Sequence, residues 1–127
     1  MDGIVVQVKD VMSRHLVAVS LESGLENALK MMSIAKVGIA PVLNNGKLVG
    51  LLKRREAEAL QGNGFKVKEV MHKPAYSLET ESIHEAGRKL VENGITRLPV
   101  VDNENDMTCI GIITSTEIAN EMKKEKK

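Results

Sequence analysis

The sequence predicts an α+β protein made of two βαββα repeats, and two observations carry this prediction. The chain repeats itself, since Val8-Lys9-Asp10-Val11-Met12 recurs 59 positions later as Val67-Lys68-Glu69-Val70-Met71. The second copy also holds two short, β-branched apolar runs, residues 98–101 and 109–113, on either side of an acidic loop. Runs of this kind are typical of strands buried on both faces of a sheet. A weaker version of the same arrangement occupies residues 38–57, so the repeat extends over the whole chain.

The composition narrows the class of protein. Apolar residues make up 43% of the 127, but Phe65 and Tyr76 are the only aromatic ones, so the core must be aliphatic. The net charge of +1 provides no field for DNA or a membrane, and the lack of rings argues against stacking on single-stranded nucleic acid. No apolar run approaches the roughly 20 residues of a membrane span, and no signal peptide is recognised. We therefore expect a soluble, cytoplasmic protein, with the single Cys109 as a core residue.

Each copy is predicted to open with a short turn and a brief strand, residues 16–19 in the first copy and 75–78 in the second. A helix follows, because apolar and small residues recur at spacings of three and four. Its core-facing positions are Leu25, Ala28, Leu29, Met32 and Ala35 in the first copy, and Ile83, Ala86, Gly87, Leu90 and Gly94 in the second. Capping boxes are predicted at Ser23 with Glu26 and at Ser82 with Glu85, and Asn93-Gly94 is predicted to end the second helix.

The two buried strands come next, and then a second helix, residues 54–60 in the first copy and 115–123 in the second. The crossover helix makes the first two strands of each copy parallel, and the short loop makes the last two antiparallel. The predicted boundaries are residues 1–61 for the first repeat, 62–66 for a linker, 67–122 for the second repeat and 123–127 for a frayed basic tail. Residues 4–6 are predicted to add an edge strand.

The motifs of the second copy resemble those of the cystathionine-β-synthase (CBS) domain. They are Val-x-x-Val-Met, then Pro-Val-Val-Asp at residues 99–102, then Gly-Ile-Ile-Thr-x-x-Glu at residues 111–117. The resemblance covers nearly the whole chain, more loosely in the first half. It implies two repeats packed about a pseudo-twofold axis with clefts between them, and a homodimer formed through the helices. It also implies regulation of a partner protein rather than catalysis.

This resemblance implies a stand-alone module that acts as an energy sensor and binds AMP, ADP or ATP in one cleft. No cofactor or metal is implied. Two alternatives remain open: a sensor of S-adenosylmethionine, and a ligand-free module for protein interaction or dimerisation. Catalysis has little support, because no activated nucleophile or acid–base pair can be picked out. His15, His72 and His84 lack ligand spacing and are predicted to be surface residues.

Thr114 and Glu117 are the strongest candidates for ligand binding. Both lie at a predicted helix start, where free N–H groups and a hydroxyl can donate to an anion. Glu117 can accept from two ribose hydroxyls, although the family usually has Asp at this position. The alternative is that Thr114 is only an N-cap and Glu117 only a favourable first-turn carboxylate.

The resemblance places a cation near the ligand's phosphate at Arg97, whose alternative is a solvated or rim ion-paired residue. The full second-copy set is Ser77, Thr96, Arg97, Leu98, Pro99, Thr114 and Glu117. The first-copy set departs further from the family, with Ile39 in place of the cation and Lys53 in place of Thr. Its residues are Ala18, Ile39, Ala40, Pro41, Lys53, Arg55 and Glu56. Lys53, Arg54 and Arg55 can restore positive charge there, or can equally form a solvated helix start. We expect the second copy to hold the ligand, although the small and proline residues of both sets are equally compatible with ordinary strand ends.

Overall fold

The computed structural model describes residues 5–125 as alternating short helices and strands. In chain order these are α1 (Val8–Val11), β1 (Val19–Ser20), α2 (Leu25–Ala35), β2 (Ile39–Asn44), β3 (Lys47–Lys53), α3 (Arg54–Glu58), α4 (Val67–Val70), β4 (Ser77–Leu78), α5 (Ile83–Asn93), β5 (Arg97–Val101), β6 (Cys109–Thr114) and α6 (Ser115–Glu125). They form two compact units. The continuous unit comprises residues 17–74, and the split unit joins residues 5–16 to residues 75–125.

Each unit contains one three-stranded sheet of the same topology. The strand order is β1-β2-β3 in the continuous unit and β4-β5-β6 in the split unit. In both sheets the first pair is parallel and the second antiparallel. The helices α2 and α5 form the crossover connections between the parallel strands. The predicted α+β class and the two βαββα repeats are therefore confirmed.

The cores are aliphatic, as the composition predicts. In the continuous unit the helix stripe contributes Leu25 and Met32, which are fully buried together with Val42 and Leu52. In the split unit the corresponding fully buried side chains are Ile83, Leu98, Val100 and Ile113. Each such side chain contributes about 1.5–3 kcal/mol through removal of its apolar surface from water.

The Val-Lys-x-Val-Met segment of each copy packs on the elements of the other copy. Helix α1 joins the split unit, where the N–H of Val8 donates to the carbonyl of Glu81 at 2.8 Å. Helix α4 joins the continuous unit, where the N–H of Val67 donates to the carbonyl of Ser23 at 2.9 Å. An isolated antiparallel β-bridge completes each attachment. It joins Ser13 to Ile112 in the split unit and His72 to Leu51 in the continuous unit. Each unit is thus completed by a segment that the sequence repeat assigns to the other copy.

Two glycines allow these segments to approach the sheets. A β-carbon on Gly111 would lie 2.6 Å from the carbonyl oxygen of Ser13 and 3.2 Å from the sulfur of Met12. A β-carbon on Gly50 would lie 2.8 Å from the carbonyl oxygen of His72. Since backbone atoms cannot yield without moving the segment, both positions require glycine.

Several predicted details are corrected by the structure. The opening strands are shorter than expected, and the α3 helix ends at Glu58 rather than at residue 60. The tail is helical as far as Glu125, since α6 continues through Lys123 and Lys124. Val5 and Val6 lie outside any strand, and Ile4 falls outside the described residues. The domain boundaries drawn from the repeat stay a prediction.

The two predicted caps have different outcomes. Ser82 caps α5, because its hydroxyl accepts from the N–H of Glu85 at 3.1 Å, and Gly94 ends that helix with a left-handed φ of 62°. The other half of the predicted box does not form, since the Glu85 carboxylate accepts from Arg88 at 2.6 Å. The box at Ser23 is wrong, since α2 begins after Gly24 without a side-chain cap. The N–H of Leu25 donates instead to the carbonyl of Phe65. Glu26 accepts from the N–H of Gly62 at 2.5 Å, a hydrogen bond that lowers the pKa of its carboxyl group.

Cys109 lies in the core of the split unit, as predicted. It is 8% exposed, and burial raises the pKa of its thiol to about 11. In the part of the chain that the structure describes, each helix is too short or too polar to cross a lipid bilayer.

Candidate functional site

The start of α6 and the neighbouring strand β5 bring four predicted site residues of the split unit together. Arg97 and Thr114 are direct cross-strand partners in the β5–β6 pair. The N–H of Ser115 donates to the carbonyl of Thr96 at 3.0 Å, which fixes the first turn of α6 against β5. Glu117 lies in that first turn. We call Thr96, Arg97, Thr114 and Glu117 the second-copy site.

Thr114 and Glu117 form a reciprocal capping box. The N–H of Thr114 donates to Glu117 Oε1 at 3.0 Å, and the N–H of Glu117 donates to Thr114 Oγ1 at 3.3 Å. The capping role considered from the sequence is therefore real. It leaves ligand-binding capacity in both groups, because a carboxylate has about four acceptor positions and a hydroxyl that accepts can still donate.

Arg97 supplies the unsatisfied group of this site. Its side chain is half-buried, and its Nε is fully buried without a hydrogen-bond partner among the described residues. An unpaired buried donor costs about 1–3 kcal/mol, more when it is charged. An anion held next to Arg97 would remove this cost, and the helix dipole of the 11-residue α6 favours negative charge at the same end.

A groove on the split unit reaches Glu117. It has a volume of about 510 Å³ and is lined by Val11, Glu117, Asn120, Glu121 and Lys124. This volume is within the range of small-molecule sites. Val11 belongs to α1, the first-copy helix that packs in the split unit. This exchanged segment therefore forms one wall of the groove.

The remaining second-copy residues are placed differently. Ser77 is fully buried, and its Oγ lies 2.8 Å from Glu81 Oε1 and 2.9 Å from the carbonyl oxygen of Leu78. Leu98 and Pro99 are buried in β5. These three side chains therefore contribute to the interior of the split unit, and the ligand contact that the family resemblance implies at these positions stays a prediction.

The first copy has the same backbone arrangement with different chemistry. Ile39 faces Lys53 across the β2–β3 pair, where the second copy has Arg97 and Thr114. The N–H of Arg54 donates to the carbonyl of Gly38 at 2.9 Å, as Ser115 does to Thr96. Lys53 precedes α3 without a side-chain capping bond. An apolar residue thus replaces the cation, and the hydroxyl cap is missing.

The carboxylate of the first copy has a different partner. Glu56 Oε1 lies 2.6 Å from His72 Nε2, whereas Glu117 closes a capping box. Arg55 is exposed, and Arg54 forms an ion pair with Glu58 at 3.2 Å. The other first-copy predictions are strand residues or their neighbours, with Ala18 half-buried and Ala40 and Pro41 buried.

The sequence interpretation missed His72. It is exposed, as predicted for a surface residue, but it contacts the carboxylate of the first-copy motif. The sequence did show that the two copies differ at this position, because the offset of 59 that aligns Met12 with Met71 also aligns Ser13 with His72.

Comparison with known proteins agrees with this architecture. The CBS domain model matches residues 8–57 and 67–124. CBSX2 of Arabidopsis thaliana, crystallised in complex with AMP, is 28% identical, with a TM-score of 0.82 over 96% of this chain and 99% of that chain. The CBS domain pair of protein MJ0100, in complex with 5′-methylthioadenosine and S-adenosyl-L-methionine, is 25% identical, with a TM-score of 0.77 over 91% and 98% of the two chains.

One curated relative is an enzyme of which this chain matches a small part. An inosine-5′-monophosphate dehydrogenase of Methanocaldococcus jannaschii is 32% identical over 116 residues. These residues are 90% of this chain but 23% of the dehydrogenase, so the similarity is to one segment of that protein. From the two model matches and the two repeats, we conclude that the chain belongs to the CBS domain family, with one CBS domain in each half.

Proposed function

We propose that this CBS-domain pair binds an adenosine-containing ligand, namely AMP, ADP or ATP, at the second-copy site and thereby regulates a partner protein. The observation that carries the proposal is the unpaired, buried Nε of Arg97 beside the Thr114–Glu117 capping box. A nucleotide needs a cation or N–H donors for phosphate and an acceptor for ribose hydroxyls. These groups occur together at one strand end and helix start.

Each residue has a distinct role in this proposal. Arg97 and the first N–H groups of α6 bind phosphate, and the hydroxyl of Thr114 donates to it. The free acceptor capacity of Glu117 binds the ribose hydroxyls. Support for the ligand class comes from CBSX2, which was crystallised with AMP.

Two alternatives have support of their own. The complex of MJ0100 with S-adenosyl-L-methionine favours a ligand whose adenosine part is the same but which carries no phosphate. A ligand-free interaction module is favoured by exposed apolar side chains on the helices, described below. Arg97 distinguishes a phosphate-bearing ligand from 5′-methylthioadenosine, which has no anion, whereas S-adenosyl-L-methionine offers it only a carboxylate.

The test is isothermal titration of AMP into the wild-type chain and into variants. Thr114→Ala combined with Glu117→Ala is expected to weaken binding at least about a hundredfold, since hydrogen bonds to charged groups contribute about 1.5–3 kcal/mol each. The matched control is Lys53→Ala, at the corresponding position of the first copy, and it should retain wild-type affinity. If Lys53→Ala abolished binding and the double variant kept it, the first copy would be the site.

Arg97 provides a second comparison within the same experiment. Arg97→Gln is expected to weaken AMP binding at least about tenfold, by loss of a charge-assisted hydrogen bond, and to leave adenosine binding nearly unchanged. Thr114 also caps α6, and loss of this cap costs about 1 kcal/mol of stability. Circular dichroism should therefore verify that each variant is folded.

We further propose that two copies of the chain associate through their helices. Val91 on α5 is 82% exposed and lies beside Met122 in a groove of about 470 Å³, and Ile34 on α2 is 74% exposed. An exposed apolar surface such as the groove at Val91 and Met122 commonly marks an interaction site. Light scattering should give the mass of a dimer for the wild type, and Val91→Glu with Ile34→Glu should give a monomer. An unchanged mass for this variant would contradict the proposal.

A further inference from the structure

The two copies differ at the residue that forms a β-bridge to the strand leading into each ligand motif. Ser13 pairs with Ile112 on β6, and His72 pairs with Leu51 on β3, so the two residues occupy equivalent positions in their units. Both are attached by backbone hydrogen bonds of 2.8–3.0 Å in each direction. The attachment is the same in both units, and the difference lies in the side chain.

These side chains have different effects on the nearby carboxylate. His72 places Nε2 2.6 Å from Glu56 Oε1, close enough for a charge-assisted hydrogen bond. Ser13 is too short to do this in the split unit, and its Oγ accepts from the N–H of His15 at 3.2 Å. Glu117 is therefore left to its capping box with Thr114. The imidazole of His72 thus occupies one carboxylate oxygen of Glu56.

The rest of the first-copy motif does not compensate. Lys53 brings a positive charge to this strand end but has no hydroxyl with which to cap α3, as Thr114 caps α6, and Ile39 has no charge. The helix that follows has five residues, against 11 in α6. The glutamate is thus the one charged side chain of the motif that both copies share, and Oε1 of Glu56 already lies against His72.

We propose that His72 silences the first-copy motif by holding Glu56, so that the chain binds one adenosine ligand through the second copy alone. This inference rests on the proposed function. It identifies His72 as a positioning residue that determines which of two homologous motifs is open to the ligand. It also assigns a role to the asymmetry between the copies.

The direct test exchanges the two residues. Ser13→His introduces the histidine beside Glu117 and is expected to weaken AMP binding about fivefold or more, the factor that corresponds to one net hydrogen bond of about 1 kcal/mol. Ser13→Leu adds a side chain that cannot donate a hydrogen bond to Glu117 and should change the affinity less than twofold. Equal affinities of Ser13→His and the wild type would overturn the proposal.

The converse test rebuilds the first copy. The variant His72→Ser, Lys53→Thr, Ile39→Arg restores in the first copy the side chains that surround Glu117 in the second. Equilibrium dialysis with radiolabelled AMP should give one ligand per wild-type chain and two per chain of this variant. A wild-type stoichiometry of two, or a folded variant that still binds one, would overturn the proposal.

This pair of measurements separates the inference from the proposed function. If the wild type bound no AMP, the second-copy site would be refuted as an AMP site. The rebuilt variant would still decide the role of His72 when it is compared with Lys53→Thr, Ile39→Arg in a chain that keeps His72. A new site in the triple variant alone would support silencing, and a new site in both variants or in neither would overturn it. Thermal unfolding of each variant verifies that it is folded at the temperature of dialysis.

Discussion

Replacing Gly111 with alanine is expected to destabilise the protein by about 3 kcal/mol, the upper end of the usual cost of overpacking. The added β-carbon would lie 2.6 Å from the carbonyl oxygen of Ser13, so the exchanged segment must move away from β6. This movement lengthens both hydrogen bonds between Ser13 and Ile112, which measure 2.8 and 2.9 Å. Denaturant unfolding measures the loss, and the melting temperature should fall by roughly 10 °C.

Gly38→Ala is the matched control for this substitution. A β-carbon on Gly38 would meet no atom within 4 Å, and the residue lies outside any helix or strand. Its replacement should change the free energy of unfolding by less than about 0.5 kcal/mol. Similar effects of the two substitutions would mean that the close contact of the segment with β6 does not stabilise the fold.

Replacing Glu81 with alanine is expected to cost about 2–3 kcal/mol, because three donors lose their acceptor at once. Glu81 accepts from Ser77 Oγ at 2.8 Å and from the N–H of Leu78 at 3.3 Å, and it forms an ion pair with Lys89 at 2.9 Å. The side chains of Glu81 and Lys89 are 21% and 28% exposed, so water replaces the lost partner poorly. Thermal and denaturant unfolding measure the cost.

Two further substitutions separate the parts of this network. Glu81→Gln keeps an oxygen acceptor for Ser77 and Leu78 but removes the charge opposite Lys89, so its cost should be smaller than that of alanine. Glu85→Ala removes the exposed ion pair with Arg88, whose side chain is 64% exposed, and should cost less than about 1 kcal/mol. If Glu81→Ala cost no more than Glu85→Ala, the network would be a surface feature rather than a support for the buried Ser77.

The architecture was predictable from the sequence because the period of the hydrophobic pattern changes at each element boundary. The apolar spacing of α5, the cap at Ser82 and the stop at Gly94 all specify the same helix. The β-branched runs around the acidic loop likewise specify the β5–β6 hairpin. Local signals sufficed here because they agree with the tertiary structure.

Other features depend on contacts between distant residues, and no local pattern contains them. The box at Ser23 fails because Leu25 and Glu26 bind backbone groups of the predicted linker, at Phe65 and Gly62, instead. The sequence repeat assigns α1 to the first copy and α4 to the second, so it does not reveal that each helix packs in the unit of the other copy. At the site, Thr114 and Glu117 could be found from their spacing. The unpaired Nε of Arg97 and the contact of His72 with Glu56 depend on the folded structure and have no local sequence signal.

The central claim is that the chain binds an adenosine-containing ligand, and thermal unfolding with added ligands tests it most directly. The chain is heated alone and with millimolar AMP, ADP, ATP, S-adenosylmethionine and, as a control, GTP. Ligand at a hundred times its dissociation constant adds about 2.7 kcal/mol of stability, which raises the melting temperature by several degrees. We expect this increase with at least one of AMP, ADP and ATP, and none with GTP. An unchanged melting temperature with all five compounds would contradict the account and favour the ligand-free interaction module.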